Sequence, residues 1–335
     1  MNAELALVLH THMPYVEGFG TWPFGEEWLF EAMATSYLPL TEVLDDRLTV
    51  SVTPVLADQL EDPGVAERFL AFCRELRAES HRRDIAERPE LAEELARSRD
   101  DYARAADRFE ALDRDLLHAL APRWTSSATH AILPLLATDA GIRLQLETGI
   151  ASHRRRFGGW AGGFWLPECA YAPHLDPLLE EAGVHAFCLD LTDTGVPPGR
   201  PLRTAAGPVA FPLDREIIEL VWAPHDGYPA HGAYRNYHAL TTHHHRAWAN
   251  DGSPYDRERA SARARGDAAD FVARVKTRDG LVVCALDTEL LGHWWFEGVA
   301  WLAAVVEEAE RAGLPLVALD EALERHEPAP APGEL

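Results

Sequence analysis

The sequence predicts an α/β fold whose strands, mostly parallel, close or nearly close into a barrel. Three observations carry this. Apolar runs of strand length recur along the chain, stretches of helical periodicity separate them, and two carboxylates, Glu168 and Asp287, each directly follow such a run. In barrel-like α/β folds the C-terminal ends of strands carry the chemistry. Leu5 to His10 reads as the first strand, continuous in its apolar residues and so buried on both faces. Leu48 to Val55 reads as the second, ended by Pro54. Residues 65–120 change to a helical pattern, with Phe69, Phe72, Cys73 and Leu76 on one face and Leu91, Leu95, Tyr102 and Phe109 continuing it, so a helical insertion follows the second strand. Further strands are expected at Ala161–Leu166, His185–Asp190, Ile217–Trp222 and Gly280–Leu286, then a helix at Val299–Arg311 and a short strand at Leu314–Leu319. A charged helix is expected within Arg246–Arg274. One catalytic domain over residues 1–326 is expected, with a disordered Pro/Ala-rich tail at 327–335.

The net charge of −23 argues against nucleic acid and anionic membranes, which would repel the chain, and suits a neutral partner. Lys276 is the only lysine, so arginine supplies nearly all the positive charge. Cys73, Cys169, Cys188 and Cys284 form no CxxC pair and sit among apolar residues, as buried reduced thiols do. No basic leader opens the sequence and no apolar run approaches about 18 residues, so a cytoplasmic protein without a membrane span is expected.

The two carboxylates sit among aromatics: Glu168 within Gly163–Tyr171, and Asp287 just before His293, Trp294, Trp295 and Phe296. Two carboxyls beside flat apolar surfaces suit glycosidic bonds, one group acting at the anomeric carbon and the other moving a proton. Retention needs the carboxyls about 5–5.5 Å apart and inversion roughly 6.5–9.5 Å, which sequence separation does not reveal. The acid must hold its proton, so burial and a charged neighbour should raise its pKa, with Trp294, Trp295 and Phe296 as a low-dielectric wall for Asp287. Glu289 competes in the same segment, its plainer reading being a solvated or Arg-paired carboxylate. His10 and His12 form an H-x-H at a strand end, which is also a metal signature, with His130, His225, Asp226 or His231 as further ligands. The run His243-His244-His245 reads as a surface loop with incidental metal affinity. Trp124 and Trp301 read as core.

HTHMPYV at residues 10–16, ATHAILP at 128–134, WLPECAY at 165–171 and DTELLGHWWFEG at 287–298 together resemble glycoside hydrolase family 57, and within it the 1,4-α-glucan branching enzymes. The resemblance runs from residue 5 to about residue 320. It implies a distorted (β/α)7 barrel and a retaining double displacement that needs no metal or other cofactor, acting on an α-glucan such as amylose or a glycogen-like polymer. By position in these motifs, Glu168 is the expected nucleophile and Asp287 the expected general acid/base. His10, His12 and His130 are the expected sugar ligands. Trp22, Trp28, Trp165, His293, Trp294 and Trp295 are candidate cleft residues, and Tyr228 and Tyr234 candidates for positioning the acceptor. Against the family's branching enzymes, the chain is expected to lack their C-terminal helical domain. A more open cleft favours water as acceptor, unless a partner subunit closes it. The expected function is therefore α-glucan branching. An α-glucan hydrolase or 4-α-glucanotransferase, a metal-dependent amidohydrolase or deacetylase, and a non-catalytic glucan-binding protein are the alternatives.

Overall fold

The computed structural model describes residues 3–20, 25–191 and 196–332. Among them, seven parallel strands form the barrel: β1 Glu4–Thr11, β2 Thr49–Val52, β3 Thr125–Ser126, β4 Gly163–Trp165, β5 Ala186–Leu189, β6 Val209–Pro212 and β7 Leu281–Asp287. The order around it is β7-β1-β2-β3-β4-β5-β6, with β2 and β3 joined at Ser51 and Trp124. Between β6 and β7 the ladder shrinks to a bond from the Asp214 N–H, just past β6, to the Val283 carbonyl (2.9 Å), while Gly199 of the connection before β6 bridges Leu281 antiparallel. That weak seam makes this a distorted (β/α)7 barrel.

Strand alternation decides what faces inward. Ala6 and Val8 of β1, Val283 and Ala285 of β7, Cys188 of β5, Phe211 of β6 and Trp165 of β4 share one buried cluster, the barrel interior. Leu5, Leu7 and Leu9, with Val282, Cys284 and Leu286, join the larger cluster built with the surrounding helices. The same period of two aims His10 and Asp287, which pair across β1 and β7, inward at the barrel mouth.

Residues 65–120 are helical as expected, from Pro63–Ala71 through Ala92–Ala111 to Leu116–Ala119. All four cysteines are buried and unbridged. Several expectations need correcting. Pro54 does not close β2; it opens the helix Pro54–Leu60, where a missing N–H costs nothing. Ile217–Trp222 is not a strand but the end of the helix Arg215–Trp222. Asp214 caps it by accepting from the Ile217 N–H, and Ile217, Ile218 and Val221 form its buried face. The strand of that region is β6. Leu314–Leu319 forms only a bridge at Leu316 before the helix Leu319–Arg325 begins. Within the tail, Ala329–Pro330 pairs in parallel with Leu202–Arg203, and the Ala329 and Ala331 N–H groups reach the carbonyls of Pro201 and Arg203.

Candidate active site

The strand ends bring the two carboxylates and three histidines to one mouth. His10 Nδ1 lies 2.7 Å from Ser51 Oγ, and its Nε2 lies 2.9 Å from His130 Nε2. His12 Nδ1 lies 3.0 Å from Thr53 Oγ1, and its ring stacks on His130 with centroids 4.0 Å apart. The rings of His10 and Trp165 stack at 4.5 Å. Ser51 and Thr53, at the end of β2, thus fix the imidazoles from behind, as does Trp165. Burial lowers the pKa of all three histidines, that of His12 to about 3 and of His130 to about 4, so they are neutral near pH 7. Neutral rings in fixed orientations suit hydrogen bonding to sugar hydroxyls.

Glu168 follows β4 and is exposed to the mouth. Its φ of 58° and ψ of 20° place a non-glycine residue in the left-handed region, and Cys169 and His130 share that conformation. Such geometry costs about 1–3 kcal/mol per residue and persists where surrounding structure enforces it, often at functional sites. Asp287 is open to solvent at the cleft floor, yet dense protein surrounds it on the other sides. That crowding, with a smaller contribution from the charge of Glu168, raises its pKa to about 6.

Glu289 is neither solvated nor Arg-paired. It is buried, and its Oε1 accepts from the His12 N–H (3.1 Å) and the Tyr37 hydroxyl; burial pushes its pKa to about 8. Tyr37 ends a π-helical turn, Met33–Tyr37, whose Ser36 also donates to the Thr288 carbonyl (2.8 Å). This irregular turn holds the segment after β7. Gly292 completes it, with φ of 98°; a Cβ there would fall 1.9 Å from the Thr35 carbonyl oxygen.

A cleft of about 200 Å³ opens beside Asp287, lined by His12, Trp28, Trp222, Tyr237, His293 and Trp294 among others. A larger groove of about 490 Å³ lies between helices, but its lining lacks this set of histidines and carboxyls. Trp28 and Trp294 are exposed, as expected of sugar platforms. Trp165 is not such a platform: it is buried in the barrel interior against His10. Trp295 is buried against Tyr234 and Trp301, and Phe296 lies under Arg235, so of the expected wall only Trp294 faces the cleft. Tyr228 and Tyr234 are core residues whose hydroxyls bond Asp270 and Asp267. Trp22 lies outside the described residues. Trp222, at the end of its helix, and Tyr237, 4.6 Å from Trp294, join the cleft although neither was singled out as a sugar platform.

The profile of Glycosyl hydrolase family 57 matches residues 124–331. A 1,4-alpha-glucan branching enzyme of Thermococcus kodakarensis is 32% identical over 97% of this chain and 58% of its own length. A probable 1,4-alpha-glucan branching enzyme of Mycobacterium tuberculosis is 35% identical over 95% of this chain and 70% of its own. The chain thus spans little more than half the length of the first of these relatives. Among solved structures, the GH57-type branching enzyme of Pyrococcus horikoshii superposes with a TM-score of 0.91 at 31% identity, covering 98% of this chain and 72% of that one. The alpha-amylase AmyC of Thermotoga maritima gives 0.87 at 26% identity, with 98% and 76% covered. On sequence and architecture alike, this chain belongs to glycosyl hydrolase family 57.

Proposed function

We propose that the chain acts on α-1,4-glucans by double displacement and transfers the cleaved segment to form α-1,6 branches. The observation that carries this is the coupling of Asp287 to Glu168 at the barrel mouth, one carboxyl held near pKa 6 by burial and by the other's charge. In this reading Glu168 attacks the anomeric carbon while protonated Asp287 gives its proton to the departing glycosidic oxygen. The glycosyl–Glu168 ester forms as the α-1,4 bond breaks. Asp287, now ionised, takes the proton from an incoming glucan hydroxyl, which reforms the glycosidic bond and frees Glu168. His10, His12 and His130 hold the sugar beside the scissile bond, and Trp28, Trp222 and Trp294 carry the neighbouring units. No step calls for a metal or organic cofactor. The reading extends to glycogen-like polymer synthesis in the cytoplasm. Unbridged buried thiols and the acidic net charge support that location and a partner other than nucleic acid or membrane. No helix among the described residues is long and apolar enough to cross a membrane.

The likeness to an alpha-amylase supports a second reading, in which water takes the acceptor's place. Amylose incubated with wild type, Glu168→Gln and Asp287→Asn separates the two. New α-1,6 linkages, scored by their anomeric NMR resonance, should appear with wild type and fall by about 10²–10⁴-fold in each variant. Reducing ends without new linkages would replace branching by hydrolysis. An inert wild type that still binds amylose would leave a glucan-binding protein.

A further inference from the structure

A second cluster lies away from the barrel mouth, where the helical insertion meets the loop after Tyr237. Asp84 and Glu87, one turn apart near the end of the helix Arg77–Glu87, face His243. The ligand atoms of these three side chains lie within 4.8 Å of one another. His243 Nε2 is 3.4 Å from Glu87 Oε1. Two ligands of a tetrahedral zinc ion with bonds of about 2.0–2.1 Å stand roughly 3.4 Å apart.

Other features make this more than a chance acidic surface. Asp84 is completely buried, and besides Glu87 and His243 it has the His245 imidazole 3.9 Å away. The Asp84 carboxylate accepts from the Thr241 hydroxyl and the His243 N–H, but dipoles alone rarely sustain a buried charge. Both acids also sit at the negative end of the helix, whose last turn carries no basic residue. Beside them His81, fully buried and stacked on His245 at 3.4 Å, has an Nε2 without a hydrogen-bond partner. A turn puts His243 in place: the Thr241 N–H bonds the His245 carbonyl, and His244 takes a φ of 66°. The histidine run is therefore built into an interface and is not an incidental surface loop.

We propose that Asp84, Glu87 and His243 bind one divalent transition-metal ion, zinc by ligand class, with water completing its shell. The ion neutralises the buried Asp84 and relieves the charge at the helix end. It also fastens the turn at 241–245 to the helical insertion. Arg246 follows that turn and lies over the Tyr237 ring at 4.1 Å while its Nε–H bonds the Tyr237 carbonyl, so the same anchor steadies one wall of the cleft.

The test uses the full chain purified without a polyhistidine tag, dialysed against zinc chloride and then zinc-free buffer, with metal counted by mass spectrometry. Wild type should retain one zinc per chain. Glu87→Gln and His243→Ala should each weaken binding by at least about tenfold. Zinc should raise the Tm of wild type and leave both variants unmoved. Glu168→Gln and His12→Gln should keep the ion, which separates this site from the barrel mouth. No retained zinc in wild type, equal retention in Glu87→Gln and His243→Ala, or loss of zinc in His12→Gln would each overturn the proposal. The first would leave His243 and Glu87 as a plain ion pair.

Discussion

Asp287 and Glu289 stand two residues apart, and burial raises both, yet their surroundings assign them different work. The Oε1 of Glu289 is occupied by the Tyr37 hydroxyl and the His12 N–H, so that carboxyl is fixed as a brace. Asp287 opens to the cleft beside Trp294. An acid that must donate a proton works only while protonated, so activity should be lost as pH rises through its pKa. The profile of kcat/KM, which reports the free enzyme, should therefore fall above about 6, the value held by Asp287. A limb near 8 would instead transfer the acid's role to Glu289. At this scale the gathering of Glu168, Asp287 and the three histidines at one mouth was legible, because each stands at or just past the C-terminal end of a strand in a distinctive string. Trp295, Tyr228 and Tyr234 were not. A tight turn gives side chains no fixed period, so adjacent Trp294 and Trp295 face solvent and core respectively.

Among the elements, the strands that were legible are those with long apolar runs, β1 and β7 above all. β3 has two residues, both polar, and gains its place only through pairing with β4 and the bridge from Ser51. Ile217–Trp222 shows the opposite failure, since a short apolar run fits a strand or a helix until its cap is recognised. The helical insertion was legible as helix, but its fastening was not, because contacts between distant segments leave no local pattern. Arg235, almost fully buried, pairs with Glu94 of the insertion and lies over Phe296 at 3.5 Å and Tyr255 at 4.5 Å. Its own N–H bonds Glu297, so one residue joins the insertion to the segment after β7. Arg235→Ala should cost about 3 kcal/mol in urea unfolding, near the low end for breaking a buried pair because Arg257 still faces Glu94. Arg235→Lys should fall between, keeping charge but losing the planar stack. A loss under about 1 kcal/mol for Arg235→Ala would mean that this clamp does not hold the insertion.

For the molecule as a whole, in the proposed reaction, the balance between transfer and hydrolysis depends on what occupies the cleft when the glycosyl ester meets its acceptor. Three exposed tryptophans from separate elements converge there: Trp28 from the helix Glu27–Ala32, Trp222 from the helix after β6, and Trp294 from the segment after β7. Each offers a flat apolar face, which in the proposed reaction a glucan can use and water cannot. A glucan hydroxyl outcompetes water only if such surfaces concentrate and orient it. Trp294 is 51% exposed, so its removal should leave the fold intact. Losing one ring contact of about 1–1.5 kcal/mol predicts a roughly tenfold higher KM for amylose in Trp294→Ala. The ratio of new reducing ends to new α-1,6 linkages should rise as well, because donor cleavage keeps both carboxyls while the acceptor loses a platform. A higher KM with an unchanged ratio would confine Trp294 to donor binding. The choice between water and glucan would then have to be made elsewhere along the cleft.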